Sequence, residues 1–334
     1  MKAKILRALK ETKEEFISGA RLCEQFGVSR QAVWKNISAL KEAGYEIESV
    51  SNKGYRLVSS PKRLYGPEIE CRLSEGNICK KVLGFDEIDS TNTKAKQLAE
   101  FGEEEGTLII AERQTAGKGR RGRSWSSEKG DGIYMSLLLR PKAIPPKASG
   151  LTILASLAVA GAIKKISSLP VEIKWPNDIV AGGKKICGIL TEMSSEESYI
   201  HYVVIGIGIN VNTETFPEEL EYRASSIYLE TGEKTDRLSL VAEILNSFDT
   251  YYKRFMKEQS LVPFLEEYNA VLVNREKEVK IYYGMVETAK PEEIESGIAK
   301  GVDGDGSLVV LVDGKEKHIV SGEVSVRGVM DYTD

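Results

Sequence analysis

Two histidines and four cysteines are all that a chain of 334 residues offers as soft metal ligands. Cys23, Cys71, Cys79 and Cys187 form no CxxC pair, which argues against structural zinc and a disulfide framework and fits a reducing cytoplasm. Long apolar runs are missing as well. The longest, GLTILASLAVAGAI at 150–163, is too short and too rich in small residues to span a bilayer. The start, MKAKILRALKETKEEF, spreads charge throughout, so no signal peptide is expected. Internal repeats and low-complexity tracts are absent. What remains is a composition of 41% hydrophobic and 29% charged residues, ordinary for a soluble protein and long enough for two or three domains.

Charge is unevenly placed. Residues 1–62 hold 12 Lys+Arg against 7 Asp+Glu, a net of +5, whereas the remainder holds 34 against 43, a net of −9. A basic head on an acidic body suggests a polyanionic partner for the head. Ile5, Leu6 and Leu9 recur at helical spacing within residues 2–10. SGARLCEQFGVSRQAVWKNISALKEAGYEI then reads as helix, tight turn, helix. Ala20, Leu22, Cys23 and Phe26 face a core, Gly27 ends the first helix and Ser29 caps the second. YEIESVSNKGYRLV follows as two strands around Asn52-Lys53-Gly54. This is a winged helix-turn-helix plan. It places Ser29, Arg30, Gln31, Trp34 and Lys35 at the exposed start of a recognition helix and Lys53 at the wing tip. A packing hairpin with no DNA role shares the helices but not the local charge. SSPKRLYGP at 59–67 reads as the linker out.

The middle of the chain alternates helices and strands. EIDSTNTKAKQLAEFG opens on a cap-like cluster and continues as an amphipathic helix. GTLIIAERQ and GIYMSLLLRP are strands, ASGLTILASLAVAGAIKKISSL a buried helix, and VEIKWPNDIV, KKICGILTEM and YIHYVVIGIGINVN further strands. A helix over RLSLVAEILNSFDTYYKRFMKEQ closes the region. From about Lys277 short strands alternate with turns at DGDG and DGK, a cadence suited to a small SH3-type barrel.

GKGRRGRSW at 117–125 packs three glycines and four cations between two strands. It satisfies GxGxxG by letter, yet Arg123-Ser124-Trp125 leads toward a strand instead of opening a helix, which the dinucleotide fingerprint requires. A Walker loop fails because Gly119 follows Lys118, and no HRD or DFG triplet accompanies a kinase-type loop. A mobile surface loop and a cationic clamp on an anion both remain. Three further stretches narrow the choice: DSTN at 89–92, KWPNDIVAGGKKICGIL at 174–190 and GIGIN at 206–210.

With RQTAGKGRRGRSW these stretches closely resemble the bifunctional biotin protein ligase and biotin operon repressor family, over nearly the whole chain. The family loop reads GRGRxGRxW, and Lys118 here replaces its first arginine, keeping charge but not a planar fork. The resemblance implies an α+β multidomain protein. Its parts are a winged helix-turn-helix at 1–62, an α/β biotin/lipoate-ligase-like catalytic domain at 63–274 and an SH3-like β-barrel at 275–334. It implies that biotin and ATP, with Mg²⁺, form biotinyl-5'-AMP, and that the biotinyl group passes to a lysine of a biotin carboxyl carrier protein. Ser90, Thr91, Asn92 and Gln114 would bind the biotin head. Arg120, with backbone at Lys118 and Gly119, would hold the carboxylate and later the adenylate phosphate, while Lys185 bridges carboxylate and α-phosphate. Arg121, Trp125, Asn177 and Asn210 would join the nucleotide site, Trp125 either anchoring the loop or packing on adenine. Asp178 would orient or deprotonate the acceptor lysine. A second lid would form from 212–227. Operator DNA of biotin genes, a homodimer and a cytoplasmic location complete the implied picture, with no membrane partner. Two alternatives stand beside it: a biotin-sensing transcription factor without catalysis, and a lipoate-type acyl-adenylating ligase.

Overall fold

The computed structural model describes residues 1–12, 15–283, 290–321, 324–328 and 333. Helices α1 (Lys2–Glu11), α2 (Gly19–Phe26) and α3 (Arg30–Glu42) pack around Ile5, Leu6, Leu9, Leu22, Val33, Ile37 and Leu40. The side chains of Ser18 and Ser29 accept from the amides of Arg21 and Ala32, satisfying donors that a helix start leaves open. Gly27 ends α2 in the left-handed region at φ 63°. Ala20, expected in the core, is exposed, because the short α2 buries only the stripe that runs through Leu22, Cys23 and Phe26. Strands β1 (Glu46–Val50) and β2 (Gly54–Ser59) form the wing. Gly54 has φ 109° and lies against the backbone of Ile17 and Ser18, so a side chain there would overlap it.

The linker is docked rather than free. Leu64 is buried, and Pro67 opens the short helix α4 (Gly66–Glu70). Arg7 of α1 donates to the carbonyls of Glu70, Cys71 and Leu73. Lys10 meets the fully buried Glu68 carboxylate at 2.7 Å, and Arg72 pairs with the same oxygen. Burial raises the Glu68 pKa, but these two cations win and hold it below the usual carboxylate range.

Beyond the linker come β3 (Lys81–Phe85), α5 (Thr91–Glu100), β4 (Thr107–Ala111), β5 (Gly132–Leu139) and α6 (Ser149–Ser167). VEIKWPNDIV, read as one strand, is two: β6 (Glu172–Lys174) and β7 (Asp178–Ala181) flank the cis Trp175–Pro176 bond and pair with each other. Strands β8 (Lys184–Ser195) and β9 (Ile200–Asn210) follow, then helices α7 (Glu218–Glu221), α8 (Ile227–Thr231), α9 (Arg237–Glu258) and α10 (Val262–Ala270). Seven strands make one sheet in the order β3-β4-β5-β9-β8-β7-β6, antiparallel except for β3 with β4. The apolar helix α6, long enough to cross a membrane by length and composition, is buried against the sheet and α9. On the opposite face α5 covers Ile109, Leu138, Tyr202 and Val204. All four cysteines are free thiols.

Strands β10 (Glu278–Tyr283), β11 (Ile294–Val302), β12 (Leu308–Val312), β13 (Lys315–Ile319) and β14 (Val324–Gly328) form an antiparallel sheet in the order β13-β12-β11-β10-β14. Among the described residues β13 and β14 are its two edges, so the expected barrel is seen as an open five-stranded sheet. Two neighbours in the central domain tie it down. Lys174 donates to the Val326 carbonyl at 2.9 Å and the Trp175 indole donates to the Gly306 carbonyl at 3.0 Å.

Candidate functional site

Alternation along the central strands builds the site. In β9, Ile205, Ile207 and Ile209 point into the main core, so Val204, Gly206, Gly208 and Asn210 share the other face. Register places Tyr134 and Gly188 beside Gly208, Ser136 and Leu190 beside Gly206, and Leu138 and Glu192 beside Val204. Three glycines, Gly188, Gly206 and Gly208, therefore open a hollow in the sheet surface. A Cβ at Gly206 would overlap the Asn92 amide, and one at Gly208 would meet the Trp125 indole at 2.7 Å. The hollow is a cleft of about 290 Å³.

One end of the cleft is polar and nearly neutral. Ser90 caps α5, accepting from Thr93, and brings Thr91 and Asn92 to the sheet. Gln114 accepts from the Thr91 amide at 2.8 Å through its oxygen and donates to the Ser127 hydroxyl at 2.9 Å. Its amide is thus fixed from both sides. Ser136, from β5, lies within hydrogen-bond distance of Thr91 at 2.7 Å and of Asn92 at 2.6 Å.

The other end is cationic. The 117–125 loop folds back on itself: the Trp125 amide donates to the Gly117 carbonyl, the Gly119 amide to the Arg123 carbonyl, and the turn passes through Arg121 at φ 54° and Gly122 at φ 73°. Arg120 reaches across to donate to the Asn177 side chain at 2.8 Å, while Asn177 donates to the Ile189 carbonyl. Lys185 lies 2.6 Å from Asp178 and 5.5 Å above the Trp125 ring. The backbone of Lys185 pairs with Arg223 and Ser225, laying the 212–227 segment along the cleft with Phe216 and Leu220 among its walls. Lys174 is buried beneath. Desolvation pushes its ammonium down to about 8; Asp178 opposes the shift, and Lys185, Arg327 and Arg120 reinforce it.

Every cleft residue expected from the sequence lines this one cavity: Ser90, Thr91, Asn92, Gln114, Lys118, Gly119, Arg120, Arg121, Trp125, Asn177, Asp178, Lys185 and Asn210. Trp125 anchors the loop's far end by packing on Gly188 and Gly208. Sequence reasoning missed Lys174, Ser136, Arg223 and Arg327. Lys174 stood inside a quoted motif, whereas Arg327 comes from the C-terminal sheet and had no local signal. Away from the cleft, Arg30, Gln31, Trp34 and Lys35 are exposed along the first turns of α3, Trp34 at 62%, and Lys53 sits at the wing over Phe16. Among the described residues no three His, Cys, Asp or Glu side chains cluster to hold a metal ion.

A winged helix fused to a cleft with a neutral polar end and a cationic end defines a DNA-binding module joined to an anion-handling ligand domain. Comparison with known proteins agrees in each part. Residues 84–210 match the Biotin/lipoate A/B protein ligase family, 2–56 an HTH domain and 286–327 the Biotin protein ligase C terminal domain. The Bifunctional ligase/repressor BirA of Bacillus subtilis is 37% identical over 96% of this chain and 97% of its own. Its counterpart in Escherichia coli is 33% identical over 94% of each. Among solved structures, a biotin protein ligase from Aquifex aeolicus in complex with biotin and ATP aligns with a TM-score of 0.64 at 34% identity, over 75% of this chain and 99% of that one. This chain belongs to the bifunctional ligase/repressor branch of the biotin protein ligase family.

Proposed function

We infer that this chain is an ATP-dependent biotin protein ligase that also acts as a biotin-responsive repressor. The carrying observation is the polarity of a single cleft: hydrogen-bonding side chains of α5 and Gln114 at one end, and Arg120 and Lys185 at the other. A small polar ring with a carboxylate tail fits that gradient. Ser90, Thr91, Asn92 and Gln114 receive the biotin head. Arg120 and the loop backbone at Lys118 and Gly119 hold the carboxylate, and Arg121, Trp125, Asn177 and Asn210 border the nucleotide.

In the first step a carboxylate oxygen attacks the α-phosphorus of ATP and pyrophosphate leaves. Two anions meet, so cations placed where charge gathers lower the barrier. Lys185 bridges the carboxylate and α-phosphate oxygens, and Arg120 keeps the adenylate phosphate. ATP would be taken as its Mg²⁺ complex, the metal supplying charge neutralisation to the phosphates. In the second step the amine of a carrier lysine attacks the acyl carbon and AMP leaves, with Asp178 orienting the amine or taking its proton. The 117–125 loop and the 212–227 segment exclude water from the mixed anhydride.

Arg30, Gln31, Trp34 and Lys35 read operator bases, Ser29 caps their helix and Lys53 meets the backbone from the wing. One winged helix offers few base contacts, so the operator-binding form is a homodimer on an inverted repeat. The working division is 1–62, 63–274 and 275–334, the last a small SH3-type barrel, in a cytoplasmic protein. Incubation with biotin, Mg-ATP and a biotin carboxyl carrier domain, followed by intact mass, tests the ligase reading; a carrier that gains no biotinyl group overturns it. ATP–pyrophosphate exchange separates it from a sensor without catalysis, and competition by lipoate from a lipoate-type ligase.

A further inference from the structure

Asn92 sits over Gly206 with its amide held between two strands. Its nitrogen lies 2.8 Å from Glu192 Oε2 and 3.3 Å from the Leu190 carbonyl, both on β8. A carboxylate and a carbonyl can only accept, so the NH₂ must face β8. The amide oxygen is thereby turned the other way, toward Ser136 on β5 at 2.6 Å and the polar end of the cleft. Register explains the arrangement: Ser136, Gly206 and Leu190 form one row across the sheet, and Glu192 stands one pair further along the same face. The second oxygen of Glu192 is taken by Lys96 at 2.5 Å, four residues after Asn92 on the same side of α5. Glu192 is thus held by one α5 side chain while it holds another.

We propose that Glu192, with Lys96 behind it, is a positioning residue that fixes the Asn92 amide with its oxygen toward the polar end of the cleft, and so selects a ligand presenting an N–H donor there. The inference rests on the ligase reading, in which a ureido ring supplies that donor. Without Glu192, the Asn92 amide can rotate and offer NH₂ where the ligand needs an acceptor.

The test is biotin binding by titration calorimetry on the full chain, with ATP–pyrophosphate exchange alongside. Glu192→Ala is expected to weaken biotin on the order of 10-fold, while kcat at saturating biotin stays within about 2-fold. Glu192→Gln, whose carbonyl still accepts from Asn92, restores most of the affinity. Asn92→Ala weakens biotin on its own, and adding Glu192→Ala to it changes nothing further, because the effect runs through Asn92. If the alanine variant does not fold, Glu192→Val, suited to a strand, carries the same test. A wild-type chain that binds biotin, with a Glu192→Ala variant that binds it equally, overturns this inference alone, as do additive losses in the double variant. A wild-type chain that does not bind biotin overturns the ligase reading and this inference with it.

Discussion

Lys185 and Asp178, seven residues apart on neighbouring strands, form an ion pair of 2.6 Å in the wall of the cleft. The cation assigned to the α-phosphate is therefore already neutralised in the free protein, and substrate must share it or draw it away. Lys185→Ala is expected to slow ATP–pyrophosphate exchange by roughly two to three orders of magnitude, the usual loss for one transition-state donor, without loss of fold. Asp178→Asn is expected to spare exchange and slow transfer to the carrier. Single-turnover transfer from preformed adenylate separates the two; near-normal exchange by Lys185→Ala removes that residue from the mechanism.

Arg120 reaches across the cleft to donate to the Asn177 side chain. Arg120→Ala should weaken a stable adenylate analogue more than free biotin, since only the adenylate carries the phosphate. Equal losses in calorimetry would contradict the assignment.

Lys174 gives the cleft a pH dependence. Its pKa of about 8 lies below that of an ordinary lysine, so the folded protein releases this proton before the unfolded chain does. The cost of burying the charge is present below about pH 8 and relieved as the pH climbs toward the ordinary lysine value, so this group's contribution to stability rises over that window. Binding runs the other way. One positive charge disappears from a floor shared with Asp178, Lys185, Arg120 and Arg327, and affinity for an adenylate analogue should fall as pH rises from 7 to 9. In Lys174→Met that step should flatten; an unchanged profile would exclude Lys174 as its source.

Removing residues 1–62 should leave biotinylation of the carrier intact, because the cleft draws nothing from the winged helix. Stability should nonetheless fall by several degrees in Tm, since the cut strips Lys10 from the buried Glu68 and uncovers Cys71. Arg72 remains as a partner, which limits the loss. A truncated chain as stable as the whole one would show that the docked linker contributes nothing.

The intact chain should bind an inverted-repeat operator as a dimer, with affinity that drops steeply with salt as phosphate neutralisation releases counterions. Arg30→Ala and Trp34→Ala should reduce specific binding without altering exchange. Biotin with ATP should tighten operator binding if adenylate also favours the dimer, a coupling that must be reciprocal. Gel shifts beside sedimentation read both; ligand-indifferent affinity and dimer fraction would sink the sensor reading.

Local rules made the winged helix legible. Gly27 and Ser29 act within one turn of the residues they terminate or cap, and Val33, Ile37 and Leu40 follow helical period. The cleft was legible through motifs rather than through period. In GIGIN the alternation sends isoleucines to the core and glycines to the cleft, but only the neighbouring strands show what those glycines accommodate. VEIKWPNDIV misled because a proline turn divides a run whose two halves both have strand character. Arg327, Ser136 and Glu192 were not legible. Each reaches the site by sheet register or by docking of a distant segment, and neither is written in nearby residues.

The C-terminal sheet is fastened to the central domain by Lys174 and Trp175, and both donate to backbone carbonyls, at Val326 and Gly306. A contact addressed to the main chain is blind to side-chain identity. The residue at 326 can change without breaking it, and Gly306 answers to its own φ of 83° rather than to Trp175. These two hydrogen bonds constrain the path of the chain, whereas the apolar side chains that the sheet shares with the central core constrain its sequence. A C-terminal module taken from a distant relative should therefore seat on this pair of side chains, provided its backbone follows the same course and its apolar face fills the shared core.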